Sequence, residues 1–140
     1  MQKNYLCGAL IKQIHDELEK QANALLRQQD LTLSQMNVLM ELEAVPGHQL
    51  SLKELEGLLH VAQSTAAGIV VRLEQKGFVK SLTDASDRRV KKVAITPAGM
   101  ACCKNAEAHI KNMEDHLLCG LTEPEKILFR DLLEKVFQGI

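Results

Sequence analysis

Asp87, Arg88, Arg89, Lys91 and Lys92 crowd together in the segment DASDRRVKKVAITPAG, residues 84–99. Guanidinium and ammonium groups packed into a short turn bind phosphates and other polyanions. At the tip of a hairpin they also suit the minor groove of DNA, whose negative potential draws arginine. The chain as a whole has a formal net charge of −1, so general basicity does not account for the cluster. Residues 72–92 hold seven basic and three acidic side chains, whereas residues 31–71 hold one and four. A positive face on a balanced protein points to one local polyanion contact.

Other reactive side chains are sparse. The four cysteines, Cys7, Cys102, Cys103 and Cys119, form no CxxC pair. Neighbours such as Cys102 and Cys103 do not easily bridge each other. They are expected to be reduced and to behave as small buried apolar residues. Cys7 is also a redox candidate, since a thiol near the start of a helix can have a lowered pKa. His116 and Cys119 share a helix face, but a metal needs three or four convergent ligands, and His15, His48 and His60 are scattered. No metal site and no cofactor are expected. The chain lacks a glycine-rich phosphate loop, a supported nucleophile motif and a dense acid–base cluster, so no catalytic residues and no enzyme are expected.

The elements that must hold the basic turn can be read from periodicity. Tryptophan is absent and aromatics are only 3% of the chain, so the core is built of Leu, Ile, Val, Ala and Met, which favours helices. Leu6, Leu10, Ile14, Leu18, Ala22 and Leu25 predict an amphipathic helix over 5–28. A second helix starts near Thr32 or Ser34, turns Met36, Leu39, Met40 and Leu42 inward, and stops at Pro46-Gly47. Ser51 and Glu54 form a capping-box pattern that opens a short helix with Leu52, Leu55, Leu58 and Leu59. After a break at residues 60–62, another helix turns Ile69, Val70 and Leu73 inward and ends at Gly77. This is a helix-turn-helix pattern. Phe78–Leu82 and Val90–Ile95 then read as two strands around a turn. A hairpin directly after a helix-turn-helix makes a winged helix, with the basic cluster at the tip of the wing. Thr96-Pro97 caps a helix running to about Leu118. A second box at Thr122–Glu125 opens the last helix, which carries Ile127, Leu128, Leu132, Val136 and Phe137.

The expected fold is therefore mainly α with a small β-hairpin wing. The expected organisation is an N-terminal dimerisation helix over 1–30, a winged helix-turn-helix lobe over 31–96 and C-terminal dimerisation helices over 97–140. No apolar run reaches the roughly 20 residues of a membrane span. The opening residues lack a secretory pattern, so a cytoplasmic protein with no membrane contact is expected.

Three blocks, 31-LTLSQMNVLMEL-42, 54-ELEGLLHVAQSTAAGIVVRLEQKGFV-79 and 87-DRRVKKVAITPAG-99, resemble the MarR (multiple-antibiotic-resistance regulator) family of bacterial transcription factors. The resemblance implies a triangular homodimer with a winged-helix DNA-binding lobe. By resemblance, Arg89 enters the minor groove and Asp87 orients the wing. The sequence departs from the family at Ala62, where a Ser or Asp cap is usual, and at Ala67 and Val71, where polar side chains are common.

Helix-turn-helix geometry puts Gln63, Ser64 and Thr65 in the major groove, with Arg72 as a further polar candidate. Arg88 joins Arg89 at the tip, and Lys80, Lys91 and Lys92 are expected to face phosphates, which position a protein without reading sequence. The expected partners are double-stranded DNA with a palindromic operator, a second copy of the chain and a small-molecule effector, the expected role being that of a repressor. The alternatives are a thiol- or metal-responsive regulator of the same fold and a winged-helix module for protein contacts.

Overall fold

A computed structural model describes residues 6–140. Expectations placed on residues 1–5, including the start of the first helix at Tyr5, lie outside the described residues. The first helix, α1 (Cys7–Leu26), buries only Ala22 and Leu26. Leu25, expected to face inward, is exposed, and Leu26 takes the inward position one residue on. A 3-10 turn at Arg27–Gln29 follows, and Asp30 in the left-handed region (φ 55°) breaks the helix. Thr32 then caps α2 (Leu33–Ala44), and Gln35 returns the bond to complete a capping box.

α2 is the centre of the core. Met36, Val38, Leu39 and Leu42 are each 0% exposed. Met40 was expected inward but is exposed, because the buried side of α2 is centred on Gln35, Leu39 and Leu42 and Met40 lies away from it around the axis. Pro46-Gly47 stops the helix as expected, and Gly47 supplies a positive φ of 80°.

A strand that periodicity did not predict comes next, β1 (Gln49–Ser51). Three residues are too few to show alternation. Ser51 is both its last residue and the cap of α3 (Leu52–Leu59), bonding the Glu54 N–H at 3.0 Å while the Glu54 carboxylate accepts the Ser51 N–H at 3.1 Å. Leu55 is buried, but Leu58 is exposed rather than part of the apolar face. His60, left-handed at φ 55°, turns the chain into α4 (Gln63–Gln75), whose buried side is Ala66, Val70 and Leu73. Lys76 and Gly77 (φ 79°) end it.

The wing consists of β2 (Val79–Thr83) and β3 (Lys91–Ile95), paired antiparallel with Ser81 opposite Val93. β1 pairs with the other edge of β3, so the wing is part of a three-stranded sheet in the order β1-β3-β2. Leu50, Val79 and Val93 tie that sheet to the core.

Thr96 caps α5 (Pro97–Leu117), with Pro97 at the first position. A Cβ on Gly99 would run into the Phe78 carbonyl oxygen, so the glycine lets α5 press against the turn between α4 and β2. Cys102, Cys103 and Ala106 carry that contact into the core. After the Thr122–Glu125 capping box comes α6 (Glu123–Gln138), none of whose residues is buried.

Candidate nucleic-acid interface

The first turn of α4 is open. Gln63, Ser64 and Thr65 are exposed, and Ala62 gives the helix no side-chain cap, as its residue type requires. Opposite the buried Ala66, Val70 and Leu73, the side chains at helical spacing are Ser64, Gly68, Val71 and Gln75, all exposed. A Cβ on Gly68 would meet nothing within 4 Å. The outer face of this helix is thus smooth, uncharged and close to its own backbone. Gly68 and Gln75 carry no signal of their own in the sequence. Rotating the helix to put Ala66, Val70 and Leu73 inward is the signal that finds them.

Arg72 lies on one flank of that face and not at its centre. With Ser64 and Thr65 it lines a hollow of about 420 Å³ against Asn23 and Gln35. A neighbouring hollow of about 660 Å³ adds Arg27, Asp30 and Lys76. Lys76 crosses between the helices there, donating to the Gln35 Oε1 at 2.9 Å and to the Asp30 carbonyl. Arg72 therefore faces the junction with α1 and α2 as much as it faces outward.

The wing tip is held by its own short side chains. Asp84 accepts the Ser86 N–H at 3.0 Å and the Ser86 hydroxyl at 2.9 Å. These bonds hold its carboxyl below the usual aspartate range, with a smaller contribution from Lys92, 3.9 Å away. Asp87 accepts the Arg89 N–H at 3.0 Å and the Arg89 Nε–H at 3.2 Å through one oxygen, and the Nη2 at 3.4 Å through the other. The Arg89 side chain is nonetheless 92% exposed. The carboxylate fixes the base of the guanidinium and leaves its outer edge free to bond elsewhere. Among the described residues, Lys80, Arg88 and Lys91 have no carboxylate within 4.0 Å.

The sequence model of the MarR family matches residues 31–91 of this chain. An HTH-type transcriptional repressor of Mycobacterium tuberculosis, Rv2887, is 30% identical over 129 residues, covering 92% of this chain and 91% of its own. This chain belongs to the MarR family. Multiple antibiotic resistance protein MarR of Escherichia coli is 27% identical over 130 residues, covering 92% of this chain and 89% of its own. A mutant of that protein complexed with operator DNA superposes with a TM-score of 0.84 at 27% identity, over 92% of this chain and 91% of the other. The S. aureus MepR–DNA complex has the same fold, with a TM-score of 0.90 at 24% identity, over 97% of this chain and 99% of that one.

The protein is thus a MarR-family transcriptional regulator with a winged helix, and the expectation that it is not an enzyme agrees with its relatives. No described helix is long and apolar enough to cross a membrane. The cysteines of this MarR-family chain divide differently from the expectation. Cys102 and Cys103 are buried, but Cys7 and Cys119 are exposed, so the reading of all four as small buried residues fails for the outer pair. Burial pushes the Cys103 thiol up to about 12, with the Glu43 carboxylate adding to the effect. Burial also raises Cys102, against the opposing charge of Lys76. Both inner thiols are protonated and unreactive near neutral pH. Among the described residues, no three His, Cys, Asp or Glu side chains converge as a metal site would need.

Proposed function

We propose that this regulator is a homodimeric repressor that lays the open face of α4 in the major groove and inserts Arg89 of the wing into the minor groove. In this reading residues 31–96 are the DNA-binding lobe, and residues 1–30 and 97–140 join two copies. Gln63, Ser64 and Thr65 approach base edges and phosphates, while Arg88 and Lys91 contact the backbone beside the wing. Arg72 serves the backbone from the flank of α4. The observation that carries the reading is the Arg89 guanidinium, 92% exposed at the wing tip and steadied from behind by Asp87. A duplex with a palindromic operator would meet two such units about one helical turn apart.

Support for the dimer comes from the terminal helices. Leu10, Ile11 and Ile14 of α1 and Leu128, Leu132 and Val136 of α6 stay between 40% and 57% exposed in the single chain. Large apolar side chains left open along two helices suit an interaction site, and the commonest closed assembly is a two-fold dimer. A small effector or other signal would release DNA by favouring a different spacing of the two lobes. The hollow of about 660 Å³ beside Arg72 and Lys76, at the junction of α1, α2 and α4, has the size for such a molecule.

The test is fluorescence anisotropy with duplex from upstream of the protein's own gene, over a salt series. Wild-type affinity falls steeply as salt rises. Arg89→Ala weakens binding about tenfold or more and flattens the salt slope by about two ions per dimer, about one from each wing, while the folded dimer persists. Unchanged affinity would refute the wing contact.

A further inference from the structure

The wing meets the body of the lobe in three places: the Lys76–Phe78 turn, where Gly77 adopts a φ of 79°, the Thr96 junction with α5, and β1, which pairs with β3. All three attachments lie towards the root, so a small change in the angle between α4 and the hairpin displaces Arg89 at the tip by much more. Bonds at the root restrain it. The Thr96 N–H donates to the Phe78 carbonyl at 3.0 Å and the Thr96 hydroxyl to the Gly77 carbonyl at 2.7 Å. They join the end of β3 to the start of β2 but do not reach the body of α4.

Glu74 does. Its Oε1 accepts the Ser81 N–H at 3.3 Å and its Oε2 accepts the Ser81 hydroxyl at 3.1 Å. Among the described residues, this is the only side-chain hydrogen bonding from α4 to the wing. β2 is an edge strand, so the outward Ser81 N–H has no strand to pair with, and the carboxylate takes that place. Glu74 therefore grips the hairpin part-way along its length, on the flank of α4 opposite Arg72.

We infer that Glu74 is a positioning residue for DNA binding, fixing the angle between α4 and the wing so that both meet one duplex together. The inference rests on the reading that α4 and the wing touch the same DNA. It is testable because a carboxylate near a phosphate backbone has two effects of opposite sign. As a charge it repels the duplex; as a clamp it aligns the wing. Glu74→Gln keeps an oxygen for the Ser81 N–H and an amide for the Ser81 hydroxyl while removing the charge. Glu74→Ala removes both charge and clamp.

The full-length chain is titrated with the same duplex in the same salt series. Glu74→Gln binds at least as tightly as wild type, whereas Glu74→Ala binds about three- to tenfold more weakly despite losing a negative charge. In the Glu74→Ala background, Arg89→Ala costs less than it does in wild type, because the wing is already misplaced. Melting temperature and sedimentation are read for every variant. The inference is overturned if Glu74→Ala tightens binding, if its loss disappears once any unfolded fraction is subtracted, or if the two substitutions are fully additive. When Arg89→Ala weakens binding and Glu74→Ala does not, only the clamp fails. When Arg89→Ala itself leaves affinity unchanged, the wing reading fails with it.

Discussion

α2 and α6 are both helices opened by capping boxes, yet they end in opposite environments. α2 buries Gln35, Met36, Val38, Leu39 and Leu42, while α6 buries nothing. The winged lobe buries most of its large apolar residues within one chain, although Met40, Leu58, Val71 and Leu82 stay exposed. α6 carries Leu128, Leu132 and Val136 on a surface that this chain leaves open. Burying such side chains stabilises by roughly 1.5–3 kcal/mol each, so one region holds its stability already and the other would gain it in the proposed dimer. In the proposed dimer the first region serves folding and the second assembly.

The largest expected effect breaks the second half of that contrast. Leu132→Asp combined with Val136→Asp places two charges on the apolar side of α6 and should dissociate the proposed dimer. A monomer loses the gain from holding two half-sites at once, so affinity for a palindromic duplex falls by about a hundredfold or more. Analytical ultracentrifugation and anisotropy read both parts. A double variant that still sediments as a dimer would mean that α6 is not the joining surface.

The first half is sharpened by two residues that adjoin in sequence. Leu39 is 0% exposed and Met40 is 40% exposed. Leu39→Ala removes packed side chain from the centre of the lobe and should cost about 3–4 kcal/mol in urea unfolding. Met40→Ala should change stability by less than about 0.5 kcal/mol. Equal costs at the two positions would show that the side of α2 carrying Met40 is also covered in solution.

Met40 also shows where sequence reading stops. An apolar residue among apolar neighbours gives no hint of which side of α2 faces the core, because α2 is apolar around most of its circumference. Where chemistry is local, the sequence is explicit. Thr32, Ser51, Thr96 and Thr122 all cap helices, at the positions their types and spacing indicate. The ion pair between Asp87 and Arg89 needs only two residues of separation to form. Features that need tertiary contact were not legible. β1 exists because β3 offers it an edge, and three residues carry no pattern of their own. The grip of Glu74 on Ser81 spans a turn whose path is set by Gly77 and by α5 pressing on Phe78. Arg72 was legible as a polar residue of α4, but its place beside Asn23 and Gln35 depends on how α1 and α2 meet.

The smallest expected effect is read on α5, which runs from one region to the other. Its inner thiols, Cys102 and Cys103, pack in the winged lobe, and Cys119 beyond its far end is exposed. A thiol-specific chromophore at mildly alkaline pH should therefore leave Cys102 and Cys103 unlabelled until the protein is unfolded. Folding raises Cys103 from 9.0 to about 12, so the folded chain holds this proton more tightly than the unfolded chain. The stability this provides is fully present below the unfolded value and is lost as pH rises from 9.0 towards about 12. The informative quantity is the difference between wild type and Cys103→Ala, which isolates this thiol from every other group. Wild-type stability should fall more steeply with pH across that range than that of the variant. Parallel curves would mean that the thiol meets solvent, and that the packing of α5 against α2 is looser than the rest of the core.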